Sequence, residues 1–227
     1  MIISHKYKFI FIKTEKTAGT SIEIALSQYC GDDDIITPLV LKDEDFRQTY
    51  SGIGSQNYYI DLHKYTIKDW IKLLIKRKKR SFYHHIGAQE IKQLIRSEIW
   101  GSYYKFAFER NPWDKIISWY YWTHKEEPRP SIKEFIQSGN AGKVKGWNLY
   151  TINDKIVVDK VYLFENLNDN IKTISRILGL PGELKLPHAK SNFRKAKKSY
   201  RDLLDREDKE EIASLFSKEI KYFGYVY

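Results

Sequence analysis

Apolar residues fall into short runs and helical stripes along this chain. Phe9-Ile10-Phe11-Ile12 is a continuous run with the length of a buried strand. A polar, small-residue stretch follows, Lys13 to Ser21. Ile22, Ala25, Leu26 and Tyr29 then return at helical spacing. A second run, Tyr104-Lys105-Phe106-Ala107-Phe108, leads into Glu109-Arg110-Asn111-Pro112-Trp113-Asp114 and an aromatic helix predicted over 115–122, with Pro112 suited to a first turn. Residues 157–164 read as a third strand. Ile91, Leu94, Ile95 and Ile99 predict a helix over 88–99, and 69–79 a helix with Trp70, Leu73 and Leu74 on one side. Ser131 and Glu134 form a capping-box pattern for a helix over 131–137. A helix over 169–178 is closed by Gly179. A last amphipathic helix begins at Asp205, with Ile212, Leu215, Phe216 and Ile220 inward. Residues 37–65 are weakly periodic and read as irregular structure over a binding face. Asp32 to Asp34 read as a solvated turn. Strands alternating with helices predict an α/β fold with a largely parallel sheet covered on both faces. No internal repeat or linker divides the chain, so 1–227 reads as one domain.

Composition sharpens this only in part. Hydrophobic content of 42% and aromatic content of 15% exclude a disordered chain. A net charge of +10 favours anionic partners, and nucleic acid, acidic polysaccharide, anionic lipid and nucleotide all fit. The densest cluster, Lys76-Arg77-Lys78-Lys79-Arg80, reads as a solvated helix end complementing the dipole or as a contact for an anionic partner. Cys30 is the only cysteine, so no intramolecular disulfide forms. That suits a reducing compartment. The run at 9–12 is too short for a signal peptide, and no run approaches the ~20 apolar residues of a membrane span. A cytoplasmic location is expected, with no transmembrane segment.

The chemistry centres on residues 9–26. Strand, polar loop and helix make a cradle for phosphate, because the first N–H groups of the helix face the loop and its dipole favours an anion. Lys13 and Lys16 supply charge, Gly19 permits close backbone approach, and Thr17, Thr20 and Ser21 supply hydroxyls. Lys16 precedes the glycine, so this is not the Gly-x4-Gly-Lys-Ser/Thr pattern. The plainer reading is a strand–turn–helix capped by Thr20 or Ser21. His84 and His85 precede a helix without other ligands nearby, which favours a general base over a metal site. Ser118 lies eight residues after Arg110.

Together these segments resemble the PAPS-dependent sulfotransferases, in the branch of the carbohydrate enzymes such as heparan sulfate 2-O-sulfotransferase and its bacterial relatives. Lys16-Thr17-Ala18-Gly19-Thr20-Ser21 is similar to the loop that holds the 5′-phosphosulfate. His85-Ile86-Gly87-Ala88 resembles the catalytic-base segment. Residues 106–114 with Ser118 resemble the 3′-phosphate motif. Val161-Tyr162-Leu163-Phe164-Glu165-Asn166-Leu167 and the Leu186-Pro187-His188 loop resemble the C-terminal half. The resemblance spans about residues 8–225. It implies a P-loop-like three-layer α/β/α fold, PAPS as sulfuryl donor with PAP as product, and no metal. It implies Lys16 and His85 as catalytic residues. Lys13, the loop from Thr17 through Ala18 and Gly19 to Thr20 and Ser21, then Arg110 and Ser118 would bind the nucleotide. Lys190, Ser191 and Arg194 would close over it. The acceptor is expected to be a hydroxyl on a glycan or glycolipid, read by the variable region 31–80, with no nucleic acid as partner. Glu15 departs from the family, which usually has Pro there, so its carboxylate has to point away from the phosphosulfate. Three other readings remain: an ATP-dependent phosphotransferase, a basic protein that binds nucleic acid or another polyanion without catalysis, and a family member that binds ligand without catalysing transfer.

Overall fold

The computed structural model describes residues 1–187 and 198–227. Its strands are β1 (Ile2–Ser4), β2 (Phe9–Ile12), β3 (Ile35–Ile36), β4 (Tyr104–Glu109), β5 (Thr151–Ile152), β6 (Lys155–Ile156) and β7 (Lys160–Leu163). One sheet has the order β3-β1-β2-β4-β7, and β5 and β6 form a separate hairpin. The centre is parallel: Ile12 of β2 lies opposite Ala107 of β4, and Glu109 of β4 opposite Leu163 of β7. β1 is antiparallel to both β2 and β3. The predicted parallel sheet thus carries an antiparallel edge made of strands too short for a hydrophobic pattern to mark.

The helices are α1 (Gly19–Ser27), α2 (Leu41–Thr49), α3 (Ile67–Lys76), α4 (Ala88–Leu94), α5 (Ser97–Ser102), α6 (Pro112–Thr123), α7 (Ile132–Gln137), α8 (Trp147–Tyr150), α9 (Leu167–Ile177), α10 (Arg206–Leu215) and α11 (Ser217–Phe223). They cover both sheet faces, as successive strand residues require. Phe9, Phe11, Phe106 and Phe108 pack with Ile22 and Leu26 of α1 and Ile171 and Ile174 of α9. Ile10, Ile12 and Ala107 pack on the other face with Ile91 and Leu94 of α4 and Trp100 of α5. A third apolar cluster joins Trp113 and Ile116 of α6 to Phe135 of α7 and Ile212 of α10.

Several local expectations change. Residues 37–65 are not wholly irregular, because α2 forms there around a fully buried Arg47. The helix expected over 88–99 is broken at Ile95, whose backbone is extended (φ −106°, ψ 172°). Asp34 is not solvated. It is buried, accepting from the Ser4 hydroxyl (2.8 Å) and from the backbone N–H groups of His5 (2.6 Å) and Gly31 (2.9 Å). Its carboxylate thereby closes the turn between β1 and β2. Among the described residues no helix is long and apolar enough to cross a membrane.

Candidate active site

The loop after β2 and the segment after β4 meet because their strands are parallel neighbours. Both leave the sheet at its carboxyl edge, the usual ligand side of an open α/β sheet. Thr14 fastens them together: its hydroxyl donates to the Phe108 carbonyl (2.5 Å) and lies 2.9 Å from the Thr17 hydroxyl. Lys16 and Ala18 both adopt left-handed backbone, with φ of 62° and 58°. Ala18, not Thr20 or Ser21, is the residue before the helix, and no side chain caps α1. Gly19, Thr20 and Ser21 therefore form its first turn, where backbone N–H groups have no intrahelical acceptor. Space explains the glycine. A Cβ at Gly19 would lie 2.7 Å from Lys13 Cγ and 3.3 Å from the Thr14 carbonyl oxygen.

Lys13 takes a place beneath this loop. Its ammonium pairs with the fully buried Glu23 of α1 at 2.7 Å, and Glu23 also meets Arg47 (3.4 Å) and the Met1 amino group (3.0 Å). Burial alone would push the Glu23 carboxyl up, but Lys13, the Met1 amino group and Arg47 outweigh it and hold it down at about 2. A carboxyl held below its unfolded value stabilises the fold above the ordinary value near 4.5, and that contribution is lost as pH falls toward 2. Glu23→Gln is accordingly expected to flatten the acid limb of stability between those pH values, as measured by urea unfolding across pH.

The Arg110 segment starts α6. Asn111 is its cap, with Oδ1 accepting from the N–H groups of Trp113 (3.1 Å) and Asp114 (3.4 Å), and Pro112 follows in the first turn. Arg110 reaches across to the loop, donating from Nη1 to the Lys16 carbonyl at 3.0 Å. Its Nε donates to Asp114 at 2.9 Å, and its guanidinium lies over the Phe164 ring at 4.2 Å. Ser118 lies half-buried one turn beyond Asp114 on the same face of α6. The Lys16 ammonium sits over the Trp122 ring at 5.3 Å, and Trp122 stacks on Trp119.

His85 joins the same loop from the opposite face of the sheet. Its Nδ1 is 2.8 Å from the Lys13 carbonyl. A carbonyl only accepts, so Nδ1 carries the proton and Nε2 keeps its lone pair. Glu15 Oε1 lies 4.0 Å from that Nε2. The other Glu15 oxygen accepts from the Lys145 N–H at 2.6 Å, while the Glu15 N–H donates to the Lys145 carbonyl. The carboxylate is thus turned to Lys145 and His85. Burial pushes His85 down to about 3, so the ring is neutral near pH 7. The His84 ring packs edge-on against His85 at 4.7 Å.

A groove of about 740 Å³ opens beside His85, walled by Tyr83, Glu90, Lys145, Trp147 and Lys218 among others. Of residues 31–80 it takes Arg80 alone among the described residues; the rest comes from 83–93, 142–149 and 215–219. Lys190, Ser191 and Arg194 lie outside the described residues. Among the described residues no cluster of three or more His, Cys, Asp or Glu side chains is placed to hold a metal ion. Sequence reasoning missed the residues that support the site. Glu109 accepts from Lys115 (2.7 Å), the Arg110 N–H (2.9 Å) and the Tyr150 hydroxyl (2.8 Å), and Glu165 accepts from the Asn111 N–H (2.7 Å). Only an acidic residue beside each motif, at 109 and 165, hinted at them.

Comparison with known proteins agrees with this architecture. An uncharacterized protein from Archaeoglobus fulgidus is 32% identical over 113 residues, covering 46% of this chain and 94% of the relative. No solved structure matches the chain at a significant level. The model of the Sulfotransferase family matches residues 1–226. The chain therefore belongs to the sulfotransferase family and is a sulfotransferase.

Proposed function

We propose that the protein transfers the sulfuryl group of PAPS to a hydroxyl of a carbohydrate acceptor. One observation carries the reading: Arg110 and His85 converge on the same short loop, through the carbonyls of Lys16 and Lys13. The donor loop, the candidate 3′-phosphate arginine and the candidate base are thereby one constellation. The uncapped first turn of α1 and the tight backbone at Gly19 fit an anionic group close to the main chain.

PAPS, when bound, supplies a sulfuryl group whose link to the 5′-phosphate breaks as the acceptor oxygen bonds to sulfur. The backbone of Thr17 to Ser21, with the Thr20 and Ser21 hydroxyls, receives the 5′ end. Lys16 stabilises the charge that develops on the departing oxygen. Asp114 sets the plane of the Arg110 guanidinium, which with Ser118 holds the 3′-phosphate. Lys13, paired with Glu23, contributes field from beneath the loop instead of a direct contact. Lys190, Ser191 and Arg194 close over the nucleotide on the strength of the family resemblance. His85 Nε2 takes the proton of the acceptor hydroxyl, and Glu15 favours the imidazolium that results. The groove walls carry both signs of charge and the aromatic rings of Tyr83, Trp147 and Phe216, a lining suited to a sugar with its hydroxyls and apolar face. The single, buried Cys30 suits a reducing, cytoplasmic setting.

The test is incubation with PAPS and a panel of oligosaccharides and glycolipids in EDTA, following PAP release and product mass. PAP and a sulfated product are expected together, with ATP unable to replace PAPS. ADP formed from ATP and Mg²⁺, with nothing formed from PAPS, would assign phosphoryl transfer instead.

A further inference from the structure

Helix α3 buries none of its residues. Yet Ile67, Leu74 and Ile75 are 80%, 77% and 76% exposed, and Ile71 is half exposed. At the helical period these four side chains share one sector, with Ile67 and Ile71 at its centre. Lys68, Lys72 and Lys76 run at four-residue intervals along one border of that stripe. The other border anchors the helix. Leu73 is half-buried, Asp69 pairs with Arg80 at 3.0 Å, and the Trp70 ring packs against Tyr65 at 5.5 Å. A capping box between Thr66 and Asp69 fixes the start. The helix is therefore held with its apolar stripe turned outward, an arrangement that marks a contact surface.

Charge decides what covers it. The lysine row continues into Arg77, Lys78 and Lys79, all exposed. A second copy seated on the stripe would set two such rows against each other. An anionic lipid surface satisfies both features: the acyl boundary takes the isoleucines and leucine, and the headgroups take the ammonium groups while the lysine stems lie along the interface. Trp70 suits that depth, with an apolar body and a polar tip. We propose that α3 is an interfacial helix that docks the protein on an anionic membrane surface. Arg80 links this helix to the groove, since its guanidinium pairs with Asp69 of α3 and with Glu90 of α4 and lines the same groove as His85. Docking through α3 thus tethers the groove to the membrane by way of a residue that lines it. Resting on the proposed function, this makes the acceptor a membrane-borne glycolipid and not a free polymer.

Co-sedimentation of the full chain with vesicles tests the docking. Phosphatidylcholine vesicles containing phosphatidylglycerol are compared with pure phosphatidylcholine, at low and high salt. Binding to the anionic vesicles is expected, weakened by salt and reduced about 100-fold in K68Q/K72Q/K76Q. I71S/L74S/I75S should lose it by a similar factor. PAP titration of both variants keeps folding and the nucleotide site in view, and unchanged affinity is expected. Wild-type protein left in the supernatant, or an apolar variant that sediments like wild type, would overturn the inference. So would a lipid-free dimer that I71S/L74S/I75S abolishes. PAP binding without vesicle binding removes the docking and leaves the proposed function standing; vesicle binding without PAP binding does the reverse.

Discussion

His85→Ala is expected to lower kcat for sulfuryl transfer by about 10²–10⁴-fold while leaving PAP affinity unchanged. The Lys13 carbonyl decides the tautomer, so Nε2 is the nitrogen free to accept a proton. Glu15 stands on that side at 4.0 Å and stabilises the charge as it forms. His85 touches the loop through its carbonyl and not through a phosphate-binding group, which separates the loss of rate from any loss of binding. Burial holds the ring at about 3, below its ordinary value of 6.5. The neutral, base-competent ring is then present across pH 5–8, and kcat/KM should show no acid limb from His85 in that window. The stability sign is fixed by the same shift. The unfolded chain takes up this proton first, so the contribution is complete above about pH 6.5 and is lost as pH falls toward 3. His84→Ala serves as control. Full activity in His85→Ala, or a deficit that follows His84, would remove His85 as the base.

Lys115→Ala is expected to destabilise the fold by about 3–5 kcal/mol, measured by urea unfolding. Lys115 and Glu109 are both fully buried and paired at 2.7 Å. Removing the ammonium leaves the carboxylate buried with only the Tyr150 hydroxyl and the Arg110 N–H as partners. The pair is closely packed, since a Cβ at Gly146 would lie 2.8 Å from Glu109 Oε2. The double substitution Glu109→Leu with Lys115→Met should cost less than Lys115→Ala alone, because it removes the unpaired charge with its partner. Because Glu109 also accepts from the Arg110 N–H, the single variant is expected to weaken PAP binding as well as stability. A double variant as unstable as the single one would show that the unpaired carboxylate does not set the cost.

Much of the site was legible because its signals are local. Four apolar residues followed by a polar loop mark β2, and Asn111-Pro112 carries a cap and a first-turn proline in adjacent positions. The supporting contacts are not local. Glu23 meets Arg47, Glu109 meets Tyr150, and Asn111 meets Glu165, pairs separated by 24, 41 and 54 residues. No spacing rule reaches that far. α2 escaped notice for another reason: its buried positions are Asp43 and Arg47, so hydrophobic periodicity had nothing to register. β1 and β3, of three and two residues, are shorter than any periodic window. For α3 the sequence pattern places Trp70, Leu73 and Leu74 on one side of a helix starting at Asp69, whereas the helix starts at Ile67 and its exposed stripe is Ile67, Ile71, Leu74 and Ile75. Weak periodicity over 37–65 suggests a binding face; the groove beside His85 is lined chiefly from 83–93, 142–149 and 215–219, which lie well apart in the chain.

The most direct measurement is isothermal titration of PAP in EDTA into the wild-type protein and into Arg110→Ala, with ATP in parallel. Micromolar binding of PAP is expected, with ATP much weaker. Loss of charged hydrogen bonds should weaken the Arg110→Ala complex by about 10- to 100-fold. A folded wild-type protein that gives no heat with PAP, or an Arg110→Ala variant that binds PAP as tightly as wild type, would contradict the nucleotide site described above.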